Sequence, residues 1–115
     1  MLLDIPQPWT PPQATERIRA IACDPKFSIS YKKHAKEQMA LRELLVGDVI
    51  YLLKNCFVFE PADPSTRPEY FKYQAESKTP NSGNRDVRVV AIPDWKTKEI
   101  KIVTVMWKDE PLRSG

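Results

Sequence analysis

Residues that usually mark a catalytic centre are scarce in this sequence: it has one histidine, two cysteines and three glycines among 115 residues. A single histidine excludes a relay between two imidazoles. It makes His34 the side chain best suited to acid–base chemistry near neutral pH. The cysteines, Cys23 and Cys56, belong to no Cys/His set with zinc-ligand spacing, so neither a metal nor another cofactor is expected. No serine or cysteine stands in a nucleophile–base–orienter set, which argues against a covalent hydrolase. The stretch Asn81-Ser82-Gly83-Asn84 builds no phosphate-cradling loop and reads as a plain hairpin turn. No apolar run is long enough to span a bilayer. At the N-terminus, Met1-Leu2-Leu3 runs straight into Asp4, Pro6 and Pro8, which is not the pattern of a secretory leader. These absences lead to the expectation of a cytoplasmic protein without membrane contact, its thiols reduced and buried.

Proline, by contrast, is abundant, with 11 residues in the chain. Pro6, Pro8, Pro11 and Pro12 surround Trp9, so residues 1–12 are expected to form an extended arm that packs on the domain through Trp9 or holds a partner. Hydrophobic residues make up 42% of the chain and charged residues 29%, enough for one domain with its own core. The net charge of +3 is compatible with a nucleic-acid partner without requiring one.

Thr10 followed by Pro11-Pro12 is a helix start. Ala14, Ile18, Ile21 and Ala22 then recur at helical spacing until Asp24-Pro25. Phe27 to Ser30 reads as a linker, with Ser30 as the N-cap of a second helix that runs to Arg42 or Leu45. On that helix Ala35, Met39 and Arg42 share one stripe, and His34, Gln38, Leu41 and Leu45 the next, so His34 borders the apolar face. Gly47-Asp48 is expected to break and restart the helix. Val49, Leu52, Leu53 and Cys56 then follow at i, i+3, i+4 and i+7.

From Cys56 onward the period becomes two. Phe57–Phe59, Glu69–Glu76, Asp86–Ile92 and Lys98–Trp107 read as strands, separated by the turn-rich Pro61–Pro68 and by Thr79–Asn84. On the last strand Ile100, Ile102, Thr104 and Met106 are expected on one face, and Lys101, Val103, Val105 and Trp107 on the other. The central strands are apolar on both faces, so the face without helices should meet the arm, a partner or a concave site. The expected fold is α+β: N-terminal helices packed on one face of a twisted antiparallel sheet of about four strands. Residues 13–108 would form the single domain, and 109–115 a polar, frayed tail.

His34-Ala35-x-x-Gln38-Met39-x-x-Arg42, Asp48-Val49, Leu52-Leu53, Lys72-Tyr73, Gly83-Asn84-Arg85-x-Val87-x-Val89-Val90 and Ile102-Val103-Thr104-Val105 occur in that order. The series resembles a small prokaryotic domain-of-unknown-function family grouped with the RelE/ParE toxin superfamily and related to the BrnT toxins. The resemblance covers roughly residues 28–107. It implies a toxin of a type II toxin–antitoxin pair, a metal-independent endoribonuclease (mRNA interferase) acting on RNA, free or on the ribosome, and held by a cognate antitoxin. The alternatives are a non-catalytic, gyrase-poisoning type of binding toxin and an inert interaction module of a mobile element. Where this chain has Gln38 the family commonly has arginine, and the residues before Phe27 lie outside the pattern.

Metal-free RNA cleavage needs a base, an acid and cations around the phosphorane. His34 is the candidate acid or base, set against a structural role fixing its helix to the sheet. Tyr73 offers a phenol for acid work or stacking, or is simply a core tyrosine beside Phe71. Arg85 holds the family's position after the glycine and completes the catalytic set. Lys33, Arg42 and Arg88 are the candidate phosphate ligands, with an ion pair to Glu43 or Asp48 as the other reading of Arg42. Arg85 and Arg88 are three apart on a strand and so point to opposite faces.

Overall fold

The computed structural model describes residues 4–110. Helix α1 (Pro11–Ala22) starts as its sequence dictates. The Thr10 hydroxyl accepts the Gln13 N–H and the Gln13 side chain accepts the Thr10 N–H, at 3.4 and 3.0 Å. The two prolines occupy first-turn positions whose N–H groups have no intrahelical partner. Strand β1 (Ser28–Tyr31) follows, then helices α2 (Lys33–Leu41) and α3 (Val46–Asn55), and strands β2 (Phe57–Val58), β3 (Asp63–Pro64), β4 (Phe71–Lys78), β5 (Asp86–Asp94) and β6 (Glu99–Trp107).

The sheet runs β1-β6-β5-β4-β2, with β3 paired to the start of β4. It is α+β as expected, but the six strands form an open, mixed sheet. Most of the stretch read as a linker, Phe27 to Ser30, belongs to β1, an edge strand parallel to β6. Consequently Ser30 lies in the sheet and Lys32 is the N-cap of α2. Gly47 does not break a helix. It sits in the first turn of α3, and the break falls at Arg42 to Leu45, where Glu43 takes a positive φ of 56°.

One face of the sheet carries the core. Tyr73, Ala75, Val87, Val89, Ala91, Ile100, Ile102 and Val105 pack with Ile18 and Ile21 of α1, Val49, Leu52 and Leu53 of α3, and Ala35 and Met39 of α2. The expected alternation on β6 holds only to Ile102. A bulge shifts the pairing from Ala91↔Ile102 to Val90↔Thr104, so Val105 returns to the core face and Thr104 and Met106 to the other.

The arm belongs to the core side. Trp9 is 2% exposed, its ring stacked on Tyr73 at 5.6 Å and edge-on to Trp95 at 6.4 Å. The Trp9 backbone N–H donates to the Tyr73 hydroxyl at 2.9 Å, and that hydroxyl donates to Gln7 Oε1 at 3.1 Å. The arm therefore leaves the opposite sheet face uncovered. On that face Gln74, Arg88, Val90, Ile92, Lys101 and Thr104 are half-buried.

Of the two cysteines, Cys56 is buried, and burial pushes its thiol up to about 11. Cys23, expected to be buried, is exposed at the C-cap of α1. No helix among the described residues is long and apolar enough to cross a membrane.

Candidate nucleic-acid interface

Helix α2 lies along the edge of β6 that β1 leaves free. The Lys32 N–H donates to the Ile102 carbonyl at 2.9 Å, and one and a half turns later Gln38 Oε1 accepts the Val105 N–H at 2.8 Å. Gln38 thus substitutes for a strand partner. Arginine has no acceptor and could not make that bond, which gives a physical reason for glutamine at this position. His34 occupies the same stripe one turn earlier and is exposed, not set against the sheet as its sequence position suggested.

The start of α2 is electropositive for two reasons. Lys32 caps it in an extended conformation with no side-chain hydrogen bond, so the first-turn N–H groups keep their positive end toward solvent. Lys32, Lys33, His34 and Lys36 are all exposed around it. Beside this helix end, on the open sheet face, Lys32, Lys101, Arg67 and Tyr70 line a cleft of about 80 Å³ together with Ile92 and two carboxylates, Asp94 and Glu99. The Arg67 guanidinium lies 4.5 Å over the Tyr70 ring, whose hydroxyl donates to Asp94 at 3.0 Å. Cations beside a phenol at a helix N-terminus are groups that suit a phosphate and a stacked base. Arg67 and Tyr70 escaped the sequence reading because only the β3–β4 turn brings them to the start of α2, and Lys101 because only the pairing of β6 with β1 does.

The other expected site residues lie elsewhere. Tyr73 is fully buried and tied to the arm, and burial pushes its phenol up to about 12, so it is a core anchor that shares no surface with His34. Arg85 precedes β5, its guanidinium 4.1 Å over the Trp107 ring and 2.8 Å from Asp109. Since α2 meets β6 at Ile102 and Arg85 stacks at Trp107, about 16 Å of strand separates their anchor points. Arg88 does face away from Arg85. It lies on the open face and pairs with buried Glu76 at 2.8 Å, while Lys108 approaches the other Glu76 oxygen at 3.0 Å. Lys33 is exposed in the first turn of α2, as a phosphate ligand must be. His34 and Lys33 are therefore together, whereas Tyr73, Arg85, Arg42 and Arg88 are not with them.

Arg42 finds neither Glu43 nor Asp48. It reaches Glu110 with two bonds, Nε to Oε1 at 2.8 Å and Nη2 to Oε2 at 2.6 Å, and Glu110 Oε1 also accepts the Trp107 N–H at 3.0 Å. Residues 109 and 110, expected to belong to a polar, fraying tail, are thus pinned; 111–115 lie outside the described residues. The Arg42 guanidinium holds the Glu110 carboxyl at about 2, below its usual 4.5. A carboxyl with a depressed folded-state pKa contributes stability that is present above its ordinary value and lost as pH falls through the folded one. The melting temperature of the wild type should therefore drop between about pH 4.5 and pH 2 more steeply than that of Glu110→Gln, measured by circular dichroism. Parallel curves for the two proteins would show that the pair contributes nothing.

Fold and surface together describe a small α+β domain with helices on one sheet face, an open second face and a cationic helix end beside it. The chain belongs to the family described as Domain of unknown function (DUF4258), whose model matches residues 31–107. No curated protein matches the chain, and no solved structure matches it. The arm, α1 and most of β1 precede the matched residues, although Trp9, Ile18 and Ile21 are part of the core.

Proposed function

We propose that this chain is a toxin of a type II toxin–antitoxin pair, of the RelE/ParE and BrnT kind, that acts on RNA at the start of α2 and the cleft beside it. The observation that carries the reading is the exposed Lys32-Lys33-His34 turn, with its uncapped N–H groups, adjoining the Lys101/Arg67/Tyr70 cleft. In the catalytic form of the proposal, His34 takes the proton from a ribose 2′-OH and the 2′ oxygen attacks the adjacent phosphorus. The P–O5′ bond breaks to leave a 2′,3′-cyclic phosphate, and water protonates the departing 5′ oxygen. Lys32, Lys33 and Lys101 stabilise the charge on the phosphorane. A cognate antitoxin would be the partner, and the cytoplasm the site of action.

Induced expression should arrest growth and leave mRNA fragments with cyclic phosphate ends. His34→Ala should slow cleavage of a purified RNA by at least ~100-fold, the usual contribution of a positioned general base, while its binding stays within a few-fold. Cleavage undiminished in that variant would remove His34 from the mechanism.

A second reading, a toxin that binds its target without RNA chemistry, draws support from one observation. The two partners that the sequence assigned to His34 are not beside it, because Tyr73 is in the core and Arg85 is at the far end of β6. Growth arrest with intact RNA would decide for it.

A further inference from the structure

Arg42, a phosphate candidate by sequence, and Arg85, a catalytic candidate, come from different elements, yet they are held by consecutive carboxylates. Asp109 takes Arg85 at 2.8 Å, and Glu110 takes Arg42 through paired bonds at 2.8 and 2.6 Å. Trp107, two residues before Asp109, lies under the Arg85 guanidinium. The preceding residue, Lys108, closes the same turn from the other side by reaching Glu76 at 3.0 Å, and its N–H donates to the Asp86 carbonyl at 2.9 Å.

A carboxylate fills a guanidinium fork in the way a phosphate does, with two oxygens on two N–H groups. Two carboxylates on adjacent residues therefore present two anions in series to two arginines, as adjacent phosphodiesters of a single strand would. The holding is uneven. Glu110 and Arg42 are 30% and 16% exposed, but Asp109 and Arg85 are 73% and 47% exposed, and an ion pair that open to water is weak. The turn can thus give way first at Asp109, next to an indole on which a base could stack.

We propose that Lys108-Asp109-Glu110 is an autoinhibitory strap occupying, in cis, a phosphodiester-binding site made by Arg42, Arg85 and Trp107. Its displacement exposes a second anchor for the RNA strand, some way along β6 from the α2 end. The identity of the strand as RNA rests on the function proposed above; the masking of an anion site does not.

The experiment titrates a fluorescein-labelled single-stranded 12-nucleotide RNA against the full chain and against Asp109→Asn/Glu110→Gln, by anisotropy over a range of salt. Inorganic tripolyphosphate, which has the charge without sugar or base, is titrated in parallel by calorimetry. The double variant should bind RNA about tenfold tighter at low salt, with the slope of log K on log salt steeper by about 0.7 for each arginine released. Asp109→Asn alone, an exposed substitution that leaves the Arg42 pair intact, should give roughly half the added slope. Adding Arg42→Gln and Arg85→Gln to the double variant should return it to the wild-type value. Two exposed carboxylates elsewhere serve as the control for net charge: Glu16→Gln/Glu60→Gln should leave the slope unchanged.

An equal gain in that control, or no gain with either probe in Asp109→Asn and the double variant, overturns the strap. RNA binding that is the same in wild type and released variants keeps the RNA reading and overturns the strap. A gain for tripolyphosphate with no RNA binding by any variant keeps the masked anion site and overturns the RNA reading.

Discussion

Trp9→Ala is expected to lower the free energy of unfolding by about 3–5 kcal/mol, the usual range for truncating a fully buried aromatic side chain. Trp9 is 2% exposed and lies against Tyr73 and Trp95, while the Arg17 guanidinium is 5.9 Å from its ring centroid. Truncation therefore opens a cavity bounded by two other rings, and the rigid strands beneath cannot collapse into it. A domain of this size has about 5–15 kcal/mol in total, so the loss should be visible as a large shift in a denaturation midpoint. Tyr73→Phe is the smaller companion. It leaves the Trp9 N–H and Gln7 Oε1 without their buried partner and should cost about 1–3 kcal/mol. If Trp9→Ala cost less than about 1 kcal/mol, the arm would be an ornament on the domain and not a part of its core.

Asp48→Ala should be nearly as damaging, at about 2–4 kcal/mol, because it removes a buried acceptor from three donors at once. Asp48 is 2% exposed at the start of α3. Its carboxylate accepts the Leu45 N–H at 2.8 Å, the Asn81 N–H at 2.9 Å and the Asn81 side-chain amide at 3.2 Å. It caps the helix and fastens the β4–β5 turn to it in one stroke. Burial pushes the carboxyl up, but the bonds from Leu45 and Asn81 outweigh that and lower it below its usual 3.8. A lowered folded-state pKa means that the contribution is intact above the usual value and fades as pH falls below it. Urea midpoints at pH 7 and pH 3 should thus differ less for Asp48→Ala than for wild type. Asp48→Asn, which retains one acceptor, should fall between them. Equal midpoints for wild type and Asp48→Ala at pH 7 would contradict the fastening role.

Much of the fold could be read from local pattern. The Thr10-Pro11-Pro12 cap, the i, i+3, i+4 series in α3 and the alternation of β4 and β5 each follow from neighbours in the chain. What could not be read depended on partners far away. Ser28–Tyr31 is too short to declare itself a strand, and it becomes one only because the edge of β6 offers hydrogen bonds. The bulge at Val103 reverses the inward and outward sides of β6 through pairing with β5 and leaves no mark in composition. Of the candidate site residues, Lys33 and His34 lie together in the first turn of α2 simply because they are consecutive in the chain. Tyr73 misled because a tyrosine in an alternating strand gives no sign of which face holds the core. Arg42 misled by its neighbours: Glu43 and Asp48 were close in sequence, but the guanidinium reached Glu110, which only the turn after β6 brings back.

RNA binding at the start of α2 and the adjoining open face, as proposed above, is tested most directly by titrating ¹⁵N-labelled protein with a short single-stranded RNA, followed residue by residue in the amide spectrum. The largest shifts are expected on Lys32 to Lys36, Arg67, Tyr70 and Lys101, and they should vanish at high salt. Shifts confined to the exposed Phe57 and Phe59 beside α1, or a spectrum that RNA leaves unchanged, would contradict it.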